Sequence, residues 1–263
     1  MLIKQLKYDL KYVLKFLLVF YFLAVFFGGL TRLFLSFENS LVMEIIGRIC
    51  QGTAISMMFS ILINTLTRSW VRMSRNFYSD EAYLTHTLPI KKQTLYLSKL
   101  LCSFLMLLLS FVVCIGVLMI MFYSDNFFET LELLLTAITM PFDISVTATI
   151  IFLISILFIE IFVSLLCGFS GIIIGHKFNK SKGGLSFVFG FITYIAVQIV
   201  VLGSVVICGL FDKNIMDVFT TSQITNADSF KALFVIVLGV YIIIAVIINI
   251  INIFLFKKGV NVD

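Results

Sequence analysis

Few residues of this 263-residue chain have the types and spacing that catalysis or metal binding requires. The two histidines, His86 and His176, are distant from each other in the sequence and from any cysteine cluster, so they do not predict a metal site. No nucleophile and base recur in a pattern that indicates a catalytic site. The five cysteines lie inside apolar runs without a C-x-x-C pair, as buried thiols do: Cys50, Cys102, Cys114, Cys167 and Cys208. The sequence does not predict an autonomous enzyme.

A nucleotide site is likewise missing from the sequence. The phosphate-binding pattern G-x-x-x-x-G-K-[ST] does not occur. Its nearest approach, GIIIGHK from Gly171 to Lys177, has the wrong spacing and no hydroxyl residue after the lysine. We therefore expect no cofactor in this chain, and no feature of it predicts nucleic-acid binding.

One acidic residue stands where charge is costly. Glu160 lies in the middle of the apolar run ISILFIEIFVSLL, with no basic residue within two helical turns. An acid at the centre of a bilayer costs about 2.5–3.5 kcal/mol even on the lenient insertion scale, so Glu160 should face protein or a water-filled cavity. There it is either protonated or paired with a distant base such as Arg48. Two roles stay open, a place in a translocation path or a structural hydrogen bond between helices.

Other polar residues inside apolar runs predict structural contacts. Glu44 and Arg48 are four residues apart, a spacing that lets them neutralise each other on one helix, with Arg32 close enough to join them. The amide side chains predict hydrogen bonds between helices: Gln51, Asn64, Gln198, Asn249 and Asn252.

The elements that must position these residues are membrane-spanning helices. The chain is 61% hydrophobic and only 13% charged, whereas soluble domains carry about a quarter charged residues, so lipid must be its solvent. Two prolines, and the lack of strict apolar–polar alternation, favour helices over barrel strands. Runs of about 20 apolar residues predict six spans: 16–36, 45–66, 100–122, 146–170, 185–210 and 232–256. The predicted fold class is an all-α membrane protein with one transmembrane domain over 1–263.

Lysine and arginine are distributed unevenly between the connections. Fifteen of them lie in the segments 1–15, 67–99, 171–184 and the C-terminal tail, whereas the three other connections together hold two. Because basic residues are retained on the cytoplasmic side, we expect both termini and the segment 67–99 in the cytoplasm. The first apolar run is long and no A-x-A-like cleavage site follows it, so it is expected to be a retained span.

The N-terminal residues 1–15, MLIKQLKYDLKYVLK, have the pattern of an amphipathic helix. Four lysines recur at intervals of three or four residues and share one face, while apolar residues share another: Lys4, Lys7, Lys11 and Lys15 against Leu2, Leu6, Leu10 and Val13. Such a helix is predicted to lie in the cytoplasmic interface. The alternative is a first span that continues into the cytoplasm with a solvated basic face.

The segment 67–99 is predicted to contain a short helix of its own. In SDEAYLTHTLP, Ser79 or Asp80 can cap a helix whose first turn holds Asp80 and Glu81, where the helix dipole favours acids. Pro89 disfavours helical geometry in the residue before it and so ends the helix.

An apolar surface is predicted for this short helix. Phe77, Tyr83 and Leu84 would form it, flanked by Asp80 and Glu81. The surface either docks into another protein or rests on lipid headgroups.

The string SDEAYLTHTLPIKKQTLYLSKLL, followed by the third span, resembles the bacterial ABC-2 type transporter permeases, especially the six-span subunits of Gram-positive bacteria. In that family an acidic-aromatic stretch, a TLP and a SKLL at the entry to span 3 recur. The ending FKKGVNVD is similar to their C-termini. The resemblance covers the layout of the whole chain and is strong at residue level over about 76–101 and the tail.

The resemblance implies that a separate ATPase, which holds ATP and Mg²⁺, receives the helix after span 2 in a groove as a coupling helix. The implied contact is formed by consecutive residues: Phe77, Tyr78, Ser79, Asp80, Glu81, Ala82, Tyr83 and Leu84. The turn GHKFNKSKGG could supply a second cytoplasmic contact through His176, Lys177 and Phe178, or could be a plain basic anchor.

The same resemblance implies a complex of two ATPase subunits with a second permease, identical or homologous, in the cytoplasmic membrane of a Gram-positive bacterium. The expected cargo is an amphipathic peptide, such as a toxin or antimicrobial, with lipid or drug export as alternatives. The family's re-entrant outer hairpin between spans 5 and 6 is only weakly matched by 211–231, and the more amphipathic outer stretch is 126–138.

Two other classes of function stay open. One is a secondary transporter or channel with Glu160 as its ion or proton site, although the two halves show no matching Gly or Pro interruptions. The other is a membrane-anchored assembly or immunity factor that transports nothing.

Overall fold

The computed structural model describes residues 2–37, 40–79, 81–87, 90–122, 133, 146–178, 181–211 and 227–258. Within these residues the regular structure consists of seven α-helices: α1 Leu2–Leu35, α2 Leu41–Tyr78, α3 Ala82–Thr87, α4 Lys92–Phe122, α5 Val146–Gly175, α6 Lys182–Phe211 and α7 Ala227–Lys257. All except α3 are long and apolar enough to cross a membrane. The prediction of an all-α membrane protein with six spans is confirmed. The predictions for the outer segments 211–231 and 126–138 concern residues that lie mostly outside the ranges given above.

Two helices extend well beyond the apolar runs that predicted them. α2 continues past the predicted end at residue 66 to Tyr78, and α4 begins at Lys92. Met73 near the end of α2 and Tyr96 near the start of α4 are fully buried. Tertiary packing therefore sustains helix where hydropathy falls, and most of the segment 67–99 is helical.

The chain divides into two compact units. The first comprises Met1–Phe127 with Val260–Asp263, and therefore α1 to α4; the second comprises Phe128–Gly259, and therefore α5 to α7. The single domain over 1–263 stays a prediction.

In the first unit, α1 packs along both α2 and α4. Buried apolar residues of α1 recur at intervals of three or four residues and form one stripe: Val13, Leu17, Tyr21 and Ala24. A buried hydroxyl chain joins the three helices, because the Ser110 hydroxyl lies 2.9 Å from that of Tyr21 and 2.7 Å from that of Thr65.

The structure corrects the prediction of a separate interfacial helix over 1–15. α1 is unbroken from Leu2 to Leu35, so residues 2–15 form one helix with the first span, and their location in the cytoplasmic interface stays a prediction. Leu6 and Leu10 pack against the core of the first unit and thus lie on protein. The lysines do share an exposed face, as predicted: Lys4, Lys7, Lys11 and Lys15.

In the second unit, α5 and α6 approach very closely. A Cβ added at Gly171 or Gly175 of α5 would overlap the backbone of Ser186 or Gly190 on α6. Small residues four apart on both helices therefore allow the backbones to meet. Asn252 of α7 accepts a hydrogen bond from the Ser170 hydroxyl of α5 at 2.8 Å, as predicted for an interhelical amide.

Candidate functional site

The first unit contains a buried cluster of charged side chains from three helices. The Asp9 carboxylate of α1 accepts a hydrogen bond from Arg72 Nε of α2 at 2.9 Å and another from Lys99 Nζ of α4 at 2.5 Å. Asp9 and Lys99 are almost inaccessible, with side chains 1% and 3% exposed. Asp9 lies near the start of α1, Arg72 near the end of α2 and Lys99 near the start of α4. These helix ends therefore meet at one end of the unit.

A second acid balances the charge of this cluster. Arg72 Nη1 donates to both oxygens of Glu81, at 3.0 and 3.2 Å. Two cations thus meet two carboxylates. Buried ions are tolerated when they are paired and hydrogen-bonded, whereas a single uncompensated ion costs several kcal/mol. We call Asp9, Arg72, Glu81 and Lys99 the charge cluster.

The charge cluster holds the short helix α3 in place. Glu81 immediately precedes α3, and its carbonyl accepts bonds from the Thr85 amide at 3.0 Å and the Thr85 hydroxyl at 2.9 Å. Ala82 and Thr85 are buried, whereas Tyr83 and Leu84 are 64% and 76% exposed. α3 therefore turns one face into its own unit and presents two large apolar side chains outward.

The structure brings together only part of the predicted contact surface. Tyr83 and Leu84 lie on the exposed face of α3, and Ser79 is exposed where α2 ends. Phe77 does not share this surface, which corrects that prediction, because its ring is fully buried 5.8 Å from the Lys99 ammonium. Tyr78 and Ala82 are also buried. Asp80 lies outside the described residues.

The boundaries of α3 agree with the sequence at one end only. The helix ends at Thr87, two residues before Pro89, as the proline predicts. It begins at Ala82, so Glu81 occupies the capping position immediately before the first helical residue. The prediction that Ser79 or Asp80 caps this helix is therefore corrected. The Glu81 side chain reaches Arg72 and thereby links α3 to α2.

Sequence reasoning missed Asp9, the centre of the charge cluster. A signal was available, since Asp9 is the only acid among the first 37 residues and stands between lysines. Its partners, however, are 63 and 90 residues away in the chain.

The second unit contains one carboxylate, Glu160, with uncharged polar side chains around it. The Tyr194 hydroxyl of α6 donates to Glu160 Oε1 of α5 at 3.4 Å. The Tyr241 hydroxyl of α7 donates to Gln198 Oε1 of α6 at 3.1 Å, which confirms Gln198 as an interhelical amide. We call Glu160, Tyr194, Gln198 and Tyr241 the Glu160 cluster.

The predicted pair of Glu44 and Arg48 forms as expected on one face of α2. Their side chains lie 3.8 Å apart and are 62% and 65% exposed. Arg48 Nη1 also lies 3.5 Å from Gln51 Oε1. This exposed pair is a local contact on α2.

Only two of the three residues predicted for the second cytoplasmic contact are exposed. His176 is buried, its Nδ1 lying 2.8 Å from the Ile172 carbonyl and 3.3 Å from the Ser186 hydroxyl. Burial lowers the pKa of His176, and the charge of Lys182 lowers it further. Lys177 and Phe178 are exposed, with the Phe178 ring stacked on Phe189 at 5.4 Å. A contact at this turn would therefore use Lys177 and Phe178.

Metal chemistry has no candidate among the described residues, where no group of three His, Cys, Asp or Glu side chains converges. The cysteines are free thiols, of which four are buried as predicted and Cys208 is half-buried. No known protein family, curated protein or solved structure matches the chain.

Proposed function

We propose that this chain is the membrane-spanning permease subunit of an ATP-driven exporter, and that a separate ATPase acts on it through α3. The observation that carries the proposal is the construction of α3. It is a short helix between two long membrane helices, with Tyr83 and Leu84 outward and its other face fixed to the charge cluster through Glu81. The resemblance of this segment to the ABC-2 type permeases supports the same assignment.

The charge cluster gives α3 a mechanical connection to three spans. A displacement of α3 acts through Glu81 on Arg72 of α2, and through Arg72 on Asp9 of α1. Asp9 is in turn bound to Lys99 of α4. Charge-assisted hydrogen bonds are short and strong, so the ends of these helices would move with α3 instead of sliding past it.

The proposed complex has two ATPase subunits, which hold ATP and Mg²⁺, and a second permease that is identical or homologous to this one. The contact with the ATPase centres on Tyr83 and Leu84, with Ser79, Asp80 and Glu81 at its rim. Both termini face the cytoplasm in this proposal, because lysine and arginine are concentrated in 1–15, 67–99, 171–184 and the C-terminal tail. The proposed cargo is an amphipathic peptide, with lipids or drugs as alternatives, and the proposed location is the cytoplasmic membrane of a Gram-positive bacterium.

The experiment is a pull-down of ATPase subunits that co-purify with this chain from its own membrane, using the double variant Tyr83→Ala and Leu84→Ala. Buried aromatic and aliphatic anchors dominate interface energies, so the loss of Tyr83 alone should weaken binding by about 2 kcal/mol and the double change should release the ATPase. The matched control is Ile3→Ala with Tyr8→Ala, two equally exposed apolar side chains at the same end of the first unit. Full retention of the ATPase and full transport by the α3 variant would refute the proposal.

A secondary transporter or channel is the second candidate, because Glu160 places a carboxylate in the middle of α5. It predicts that the purified chain, reconstituted without any ATPase, moves ions or protons across vesicles and that Glu160→Gln abolishes the movement. The exporter predicts no such movement.

A further inference from the structure

The Glu160 cluster gathers polar groups from three helices of the second unit. Tyr194 gives the carboxylate one long hydrogen bond, at 3.4 Å. Tyr241 is buried and occupies the oxygen of Gln198, whose Nε2 is buried and has no acceptor among the described residues. The cluster therefore offers one carboxylate with a single long hydrogen bond and one amide donor without an acceptor among the described residues.

The position of Glu160 makes its charge costly. It lies about 21 Å from either end of α5 at 1.5 Å per residue, and thus near the middle of any bilayer that α5 spans. α5 contains no Lys, Arg or His. On the neighbouring helices, Lys182 is more than three turns from Tyr194 and Lys257 more than four turns from Tyr241. No cation with a described side chain in this unit lies at the level of the carboxylate.

These groups indicate the chemistry of a ligand that would pair with Glu160. A carboxylate in a low-dielectric site calls for a positive charge, and two neighbouring tyrosine rings favour an organic cation that can lie against aromatic faces. The free Gln198 Nε2 calls for a hydrogen-bond acceptor beside that charge. Most residues of α5, α6 and α7 are hydrophobic, which suits a ligand with an apolar part beside its charge.

We propose that the Glu160 cluster binds the ammonium or guanidinium group of an amphipathic ligand, with Gln198 Nε2 donating to an acceptor next to the charge. In this arrangement Glu160 pairs with the cation, and Tyr194 holds the carboxylate in place. The inference that this ligand is the exported cargo rests on the proposed function, whereas the binding site itself does not.

The test measures equilibrium binding of a tritiated decylammonium probe to the purified chain in lipid nanodiscs, with empty nanodiscs subtracted. No ATPase or nucleotide is present. Removing one member of a buried charge pair is costly, so Glu160→Gln should weaken binding by about tenfold or more. Unlabelled decanol should compete poorly with the probe for the wild-type chain. The conservative Glu160→Asp should retain part of the preference for the cation over decanol.

The matched control is Glu44→Gln, the same chemical change at an exposed acid of the first unit, and it should leave the affinity unchanged. Peptide and lipid sources of the cation are separated by competition with an arginine-containing amphipathic peptide and with a lysine-acylated phospholipid, and the stronger competitor identifies the source. Equal affinity of the wild type and Glu160→Gln, or equal competition by decanol, would overturn the proposal.

The outcomes also separate this proposal from the exporter assignment. Cation binding that depends on Glu160, together with full ATPase retention by the Tyr83 and Leu84 variant, would keep the site and reject the exporter. ATPase release by that variant, together with cation binding that ignores Glu160, would keep the exporter and reject the site.

Discussion

In the first unit the Asp9 carboxylate receives both Arg72 and Lys99, and Glu81 supplies the second negative charge. In the second unit the Glu160 carboxylate receives one phenol, at a longer distance. Both acids lie on packed helices, but among the described residues only the first is paired with cations of its own unit. The first cluster is therefore complete as a structural link, whereas the second is suited to bind something from outside.

The units also differ in how their helices are joined. Polar side chains tie α1, α2 and α4 together, through the charge cluster and the hydroxyls of Tyr21, Thr65 and Ser110. In the second unit α5 and α6 also meet backbone to backbone at glycines, and uncharged side chains link Ser170 to Asn252 and Tyr241 to Gln198.

The largest effect is expected from Asp9→Asn. The change removes the carboxylate that Lys99 contacts and leaves Arg72 with Glu81 alone, and breaking a buried ion pair costs about 3–5 kcal/mol. The thermal midpoint at which a thiol-reactive dye labels the buried Cys114, kept as the sole cysteine, should fall steeply. Adding Lys99→Met should recover part of the loss, and the exposed control Glu44→Gln should cost less than about 1 kcal/mol. An unchanged midpoint for Asp9→Asn would show that the charge cluster does not stabilise the first unit.

The opposite sign is expected from Glu160→Gln in the absence of ligand. The change replaces a carboxylate that has no described cationic partner in the second unit and keeps an acceptor for Tyr194, so the second unit should be stabilised, by less than Asp9→Asn destabilises the first. Here the reporter is labelling of the buried Cys167 as the sole cysteine. A loss as large as that of Asp9→Asn would mean that Glu160 is a paired structural residue.

A smaller loss is expected from Gly171→Ala. The added methyl overlaps the backbone of α6, and overpacking of this kind costs about 1–3 kcal/mol. Gly203→Ala is the matched control, because an added Cβ there meets nothing within 4 Å and alanine favours helix. Equal midpoints for the two variants would show that α5 and α6 are not joined at this point.

The smallest effect concerns pH. Burial lowers the pKa of His176 below its ordinary value, so the unfolded chain takes up this proton at a higher pH than the folded one. The second unit should therefore lose stability as pH falls through about 6.5, until the folded histidine also protonates. Lys182, whose charge acts on the ring, strengthens the trend. Calorimetry between pH 7.5 and 5.5 should show a smaller drop for His176→Gln than for the wild type, and parallel drops would contradict the assignment.

The number and nature of the spans, and the end of α3, follow from the local pattern of residues. In lipid every backbone group must be satisfied within its own segment, so a run of apolar residues is sufficient to specify a spanning helix. The pyrrolidine ring of Pro89 likewise restricts the backbone conformation of the residue before it. The intervals of the N-terminal lysines fixed an exposed face, and the isolation of Glu160 in an apolar run marked it as costly.

Which polar residues have partners depends on how the helices pack in three dimensions. By local pattern Asp9 belongs to a solvated basic segment, and Phe77 belongs to the surface of the short helix. Both are buried because the ends of α1, α2 and α4 converge, which places a carboxylate, a guanidinium and an ammonium from distant parts of the chain within hydrogen-bonding distance. Pairing of charges depends on separation in space, and separation along the sequence does not predict it once helices fold back on one another.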